Sequence, residues 1–233
     1  MTRPLALVTG ASRGIGRAIA LDLARTHQVI AGVRSVEALE ATRRDIPDAL
    51  GLIADLGDEE ALAAAVDGLG LDRLDVFVHS AGLGEMQPLG TTTRADWRRS
   101  FEVNVFAAAD LVARLLPALR AARGTVVLLN SDSGFMTYAG GSVYCGTKFA
   151  LRALADCLRS EEREHGVRVV SVHPGWTSTD MAHQTRIANG SEGPEDTYVQ
   201  PETIAAGVRM AVDAPPEAMV ESLTIRPTVE TPD

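Results

Sequence analysis

The chain has only two cysteines, Cys145 and Cys157. They offer no metal-site spacing and no disulfide framework, so both are expected to pack in a reducing cytosol. No run of about 18 apolar residues exists, which argues against a membrane-spanning helix. Positive charge is in short supply. Lys and Arg number 22 against 31 Asp and Glu, a formal net charge of −9. That balance disfavours nucleic acid or an anionic membrane as the main partner. Met1-Thr2-Arg3-Pro4 leads straight into an apolar strand, with no signal-peptide pattern, so a cytoplasmic location is expected. Repeats, domain linkers and low-complexity tracts are also missing. What is there is a chain of 233 residues, 45% hydrophobic, enough for one large domain over residues 1–233.

Short apolar runs alternate with helical patterns. Strands are predicted over residues 5–8, 28–33, 50–54, 75–80, 125–130, 168–173 and 222–225. Helices fill the gaps, with long ones near residues 93–120 and 143–165. This alternation predicts an α/β domain: a parallel, seven-stranded sheet with helices on both faces. The one irregular stretch, residues 182–200, carries Gly190, Gly193 and Pro194. A loop that long in a compact domain is a lid or binding loop or a surface loop; residues 180–200 are assigned as a substrate lid.

Two features carry chemistry. The first is Thr9-Gly10-Ala11-Ser12-Arg13-Gly14-Ile15-Gly16, where the first strand passes into the first helix. A pyrophosphate placed there meets unpaired backbone N–H groups and the positive end of a helix dipole. Glycine is needed where the backbone turns sharply or comes close to the ligand. The second is Tyr144 and Lys148, four residues apart and so on one side of a helix. A free phenol has a pKa near 10, too high for a good base at neutral pH. A nearby ammonium favours the phenolate and is expected to lower it. One element holds a dinucleotide and the other moves a proton, which points to redox chemistry.

Further motifs stand in a fixed order around these two. They are Asp55-Leu56 after the third strand, His79-Ser80-Ala81-Gly82 after the fourth, and Val103-Asn104-Val105 in a long helix. Ser131 follows the fifth strand, 13 positions before Tyr144, and Pro174-Gly175 follows the sixth, with Thr177 and Thr179 beyond. With this set the chain resembles the short-chain dehydrogenase/reductase family, in its compact single-domain branch, over nearly its whole length. Tyr138-Ala139-Gly140-Gly141-Ser142-Val143-Tyr144 also resembles, more weakly, the NADP-dependent 3-hydroxy acid and serine dehydrogenases.

The resemblance implies a Rossmann fold with a doubly wound sheet and a catalytic set of Asn104, Ser131, Tyr144 and Lys148. Tyr144 would be the general acid/base, and Lys148 would also bond the nicotinamide ribose. Ser131 would hold the substrate oxygen and stabilise its charge, with Ser133 as competitor. Asn104 would pin a water linking Lys148 to solvent. Cofactor contacts are implied for Gly10, Ser12, Arg13, Gly14, Ile15 and Gly16 of the turn. Asp55 and Leu56 would hold the adenine. Ser80, Ala81, Gly82, Asn104, Tyr144, Lys148, Pro174, Gly175, Thr177 and Thr179 complete the contacts. His79-Ser80 departs from the family's usual Asn-Asn; both can still hydrogen-bond, so an altered but working site is expected, with His79 structural. Phe135, Met136, Tyr138 and Trp176 are candidates for the substrate pocket.

The residues also speak to cofactor choice. An NAD-preferring protein places an acid at the end of the second strand to bind the ribose 2′-OH. Here Val33 takes that place and Arg34 follows. Arg13 would lie on the same side, so two guanidinium groups could grip a 2′-phosphate. The expected activity is NADP(H)-dependent interconversion of a secondary alcohol and a ketone, with no metal. The alternative is a non-catalytic dinucleotide-binding sensor of the same fold. An epimerase or dehydratase of the longer branch is disfavoured by length. Apolar residues on more than one side of both long helices, Phe149 and Leu154 among them, suggest a homotetramer, with a dimer as fallback.

Overall fold

The computed structural model describes residues 3–188 and 197–229. Its elements run β1 (Leu5–Thr9), α1 (Gly14–Leu23), β2 (Gln28–Val33), α2 (Val36–Asp45), β3 (Leu50–Ile53), α3 (Glu59–Asp67) and β4 (Val76–His79). Then come α4 (Arg94–Phe101), α5 (Ala107–Ala122), β5 (Thr125–Leu129), α6 (Ser142–Glu162), β6 (Arg168–Pro174), α7 (Asp180–Ala188), α8 (Pro201–Val212) and β7 (Ser222–Ile225). The seven strands form one sheet in the order β3-β2-β1-β4-β5-β6-β7. Each neighbouring pair is parallel.

The alternation of side chains along each strand divides the core in two. Ala6, Val8, Val29, Ala31, Val76, Val78 and Val127 point to one side, where they meet Ile19 and Leu23 of α1 and Ile204 and Val208 of α8. Leu7, Ile30, Phe77, Val126 and Leu128 point to the other, against Leu62 of α3, Leu111 and Leu115 of α5, and Leu151 and Leu158 of α6. A sheet buried on both faces needs apolar residues at consecutive positions, and this is why the strands read as unbroken hydrophobic runs. The strand order reverses between β1 and β4. Such a switch point opens a crevice at the carboxyl ends of the strands.

Three expectations need correction. The long helix expected over residues 93–120 is interrupted: α4, started by a Thr93–Asp96 capping box, passes through a π-helical turn at Glu102–Phe106 before α5 begins. Part of the expected lid loop is helical, since α7 occupies Asp180–Ala188; residues 189–196 of that assignment lie outside the described residues. Of the two cysteines expected to pack, Cys145 is buried but Cys157 is exposed.

Candidate active site

The floor of the crevice is bare backbone. Gly10 takes φ +67°, a left-handed conformation that disfavours a side chain. A Cβ on Gly16 would lie 2.3 Å from the Gly10 carbonyl oxygen, so the first turn of α1 can approach β1 only with glycine there. Side chains of Ser35 and Asp58 cap α2 and α3, whereas α1 has no side-chain cap. Its first N–H groups are left for a ligand, and an anionic pyrophosphate suits them.

The other loops close on this floor. The Cβ positions of Gly10 and Gly16 come within 3.1 Å of the Ala81 backbone and 3.2 Å of Ser80 Oγ. That of Gly14 is 3.4 Å from the Thr179 side chain, and that of Gly82 is 3.2 Å from Asn104 Oδ1 and 4.0 Å from Lys148 Nζ. The expected cofactor residues of the turn, of 80–82 and of 179 therefore meet the expected catalytic ones at one sheet edge. Arg34 and Asp55, both exposed, stand further out at the ends of β2 and β3. Asp55 folds back to accept from Gly57 N at 2.9 Å. Arg13 faces Asp180 at 3.9 Å, both largely exposed. Thr177 turns inward on Gly175 O at 2.9 Å, and Thr179 Oγ1 accepts from Ala182 N at the start of α7.

The β1–β4 seam explains the unusual His79. Thr9 Oγ1 accepts from Ser80 N at 3.1 Å and Ala81 N at 3.2 Å. Its two lone pairs are then used, and its hydrogen goes to His79 Nδ1 at 3.2 Å. His79 is thus the neutral tautomer with hydrogen on Nε2, an atom with no hydrogen-bond partner among the described residues. Burial, helped by the charge of Lys148, pulls its pKa down to about 3. The histidine ties two strands together and does not titrate near neutral pH.

Tyr144 and Lys148 project from the first turns of α6. Lys148 is only 6% exposed. It donates to Leu129 O, at the end of β5, at 2.9 Å, and its Nζ lies 5.6 Å from the centre of the Tyr144 ring. Burial pulls the lysine down to about 8. Burial also pushes Tyr144 up to about 12, with the neighbouring Ser131 side chain acting the other way. The expected lowering of the phenol is therefore reversed: desolvation of the phenolate outweighs what its neighbours supply.

Ser131 caps a short 3-10 turn at Asp132–Gly134. Its Oγ accepts from Ser133 N at 3.2 Å and donates to Asp132 Oδ1 at 3.0 Å. Its carbonyl takes a hydrogen from His173 Nδ1 at 2.9 Å, which places the proton of that ring. The competing Ser133 is engaged with Tyr138 Oη at 3.0 Å. Asn104 sits in the π-helical turn, and its amide is spent on structure. Nδ2 donates to Leu83 O at 2.9 Å and Thr147 Oγ1 at 3.0 Å, and Oδ1 accepts from Leu83 N at 2.7 Å. Thr147 in turn donates to Tyr144 O at 2.8 Å. Through these bonds the side chain braces the 80–83 loop against α6.

Three of the aromatic and apolar candidates have separate neighbours. Phe135 lies against His173 with ring centres 4.2 Å apart, and Trp176 stacks on Tyr198 at 5.5 Å. Tyr138 lines a cavity of about 380 Å³ with Cys145 and Phe149, on the face of α6 next to the one bearing Tyr144. Residues that sequence reasoning passed over are Thr147, His173 and Asp180. Each acts through a contact between distant segments, which no local motif announces.

With this geometry described, likeness to known proteins is informative. Residues 4–190 match the short chain dehydrogenase family, and the chain belongs to it as an oxidoreductase. It is similar to a serine 3-dehydrogenase of Rhizobium radiobacter, 32% identical over 231 residues that cover 95% of this chain and 92% of the relative. An alcohol dehydrogenase from the archaeon Thermococcus sibiricus, complexed with 5-hydroxy-NADP, superposes with a TM-score of 0.88 at 28% identity, covering 99% of both chains. A metagenomic short-chain oxidoreductase in complex with NADP gives 0.83 at 32% identity, covering 98% of this chain and 99% of that one.

Proposed function

We propose that the protein interconverts a secondary alcohol and a ketone with NADP(H), with Tyr144 as the general acid/base. The single observation behind this is the meeting of Tyr144, Lys148 and Ser131 with the glycine-floored crevice at one sheet edge. The N–H groups at the start of α1 would hold the pyrophosphate, and Arg13 and Arg34 would hold the 2′-phosphate. The bound nicotinamide would supply the hydride chemistry. Ser131 turns its hydrogen toward the substrate oxygen and stabilises the charge that builds there. Tyr144 Oη delivers the proton to that oxygen in reduction and removes it in oxidation. Lys148 holds a positive charge beside the phenol and would orient the nicotinamide ribose. Asn104, through Thr147, fixes the start of α6.

The raised pKa of Tyr144, about 12, gives the two directions different pH profiles. At neutral pH the phenol carries its proton, so ketone reduction has its acid in place. Alcohol oxidation needs the phenolate, and its rate rises as pH climbs toward that value. The test is NADPH oxidation with a ketone panel by the parent and by Tyr144→Phe. Turnover is expected to fall at least about a hundredfold in the variant, with fold and cofactor binding retained. Near-normal turnover in Tyr144→Phe refutes the mechanism.

A further inference from the structure

Asp132 has no part in the reaction derived above, yet its carboxylate is bonded to the hydroxyl that is to hold the substrate oxygen. Ser131 Oγ donates to Asp132 Oδ1 at 3.0 Å. The other oxygen, Oδ2, faces Arg226 Nε at 4.0 Å, beyond hydrogen-bond reach; the two side chains are 25% and 50% exposed. Arg226, just past the end of β7, therefore offsets the carboxylate only in part. The remaining cations nearby are committed elsewhere. Arg152 donates to Gly134 O at 2.9 Å and lies over the rings of Phe135 and Phe149. Lys148 is bonded to Leu129 O beneath Tyr144 and serves every substrate alike. Burial holds His173 toward its neutral form. The negative charge of Asp132 reaches the reacting group, since it adds to the upward shift of Tyr144.

The hydroxyl of Ser131 has a single hydrogen. When that hydrogen turns to the substrate oxygen, Asp132 Oδ1 loses its donor. A protonated amine next to the carbonyl replaces it with a charge-assisted bond. A hydroxyl replaces it less well, and a carboxylate there meets like charge in a partly desolvated place.

We propose that Asp132 is a specificity-determining residue: a fixed negative charge beside Ser131 that ranks substrates by the charge they carry near the reacting carbon, ammonium over neutral over carboxylate. This rests on the oxidoreductase reading above. At about 6 Å and an effective dielectric of about 20, a unit charge discriminates by a factor of about a hundred, which screening by solvent at this part-exposed place lowers to about tenfold.

The test is kcat/KM with NADPH for an aminoketone, a hydroxyketone and a keto acid of equal chain length, at fixed pH and ionic strength. The parent should prefer the aminoketone to the keto acid by about tenfold or more, chiefly through KM. Asp132→Asn should cut that ratio about tenfold, and Arg226→Gln, which leaves the Ser131–Asp132 bond in place, should widen it. A parent indifferent to charge overturns the proposal, as does a ratio unmoved in both variants. If Asp132→Asn loses all turnover, the ratio in Arg226→Gln decides. If the parent reduces none of the three ketones with either cofactor, the alcohol–ketone reading falls and takes this proposal with it.

Discussion

Burying an amine has a cost that a denaturation curve can measure. In an unfolded chain a lysine keeps its proton up to 10.5, whereas in the folded protein burial pulls Lys148 down to about 8. Between those values the unfolded chain binds more protons, and stability rises with pH wherever that holds. Integrating this one group from pH 7 to about 9.5 gives a gain of about 2 kcal/mol. Further up the sign turns. Tyr144 and Tyr138 hold their protons more tightly folded than unfolded, so the stability they contribute is lost as pH climbs past about 10. The useful window therefore closes near about 9.5. Lys148→Met keeps an unbranched chain of similar reach and removes the charge. It also leaves Leu129 O without its donor, a pH-independent loss of about 1 kcal/mol. The assay is urea unfolding of parent and variant at both pH values, at one protein concentration because assembly shifts apparent stability. The parent should gain about 2 kcal/mol relative to the variant on going to the higher pH. A parent curve that moves no more than the variant's refutes the claim that Lys148 is held in a desolvated, depressed state.

Cofactor preference is tested by the ratio of kcat/KM for NADPH and NADH; Arg34→Ala and Arg13→Ala should each lower it about ten- to a hundredfold, and a parent that prefers NADH, or a ratio unchanged in both, refutes the assignment. Arg120→Ala removes the bidentate partner of Glu162, bonded at 2.8 and 2.6 Å, whose side chain is only 2% exposed. The stranded carboxylate should cost about 2–3 kcal/mol in chemical denaturation, toward the low end for a buried pair because Arg120 itself is 43% exposed; a loss below about 0.5 kcal/mol would show that the pair matters little. Phe106 and Phe149 are exposed beside the two long helices, so light scattering at micromolar concentration should report a homotetramer, or failing that a dimer; a strict monomer counts against assembly through these helices.

The inner strands were legible because they are buried on both faces and apolar at nearly every position, as in Val126-Val127-Leu128-Leu129; the edge strands β3 and β7 are partly exposed and carry a weaker signal. The crevice was legible for a different reason. Backbone that approaches a ligand closely needs glycine, and glycine is visible in a sequence. Tyr144 and Lys148 were legible through their helical spacing. The shift of the Tyr144 pKa was not, since desolvation depends on how many atoms the rest of the fold packs around the ring. The π-helical turn leaves no trace either, because Glu102-Val103-Asn104-Val105-Phe106 has no periodicity that separates it from an ordinary helix. α7 was hidden by the Gly and Pro residues that follow it. His79 could be noted as a departure, but its tautomer required knowing that Thr9 is already bonded to Ser80 and Ala81.

The wide turn at Glu102–Phe106 also sets a phase. An α-helix advances about 100° per residue, so an extra residue in one turn rotates everything beyond it by that angle. α5 is thereby turned relative to α4, and each half faces its own neighbours: Ser100 is buried before the turn, and Leu111 and Leu115 after it. Asn104 lies at the hinge of this rotation, where it links Leu83 to Thr147 and so to Tyr144. The spacing between the 80–83 loop and the start of α6 is thus gauged by a single surplus residue in a helix, much as a shim sets the gap between two machined parts.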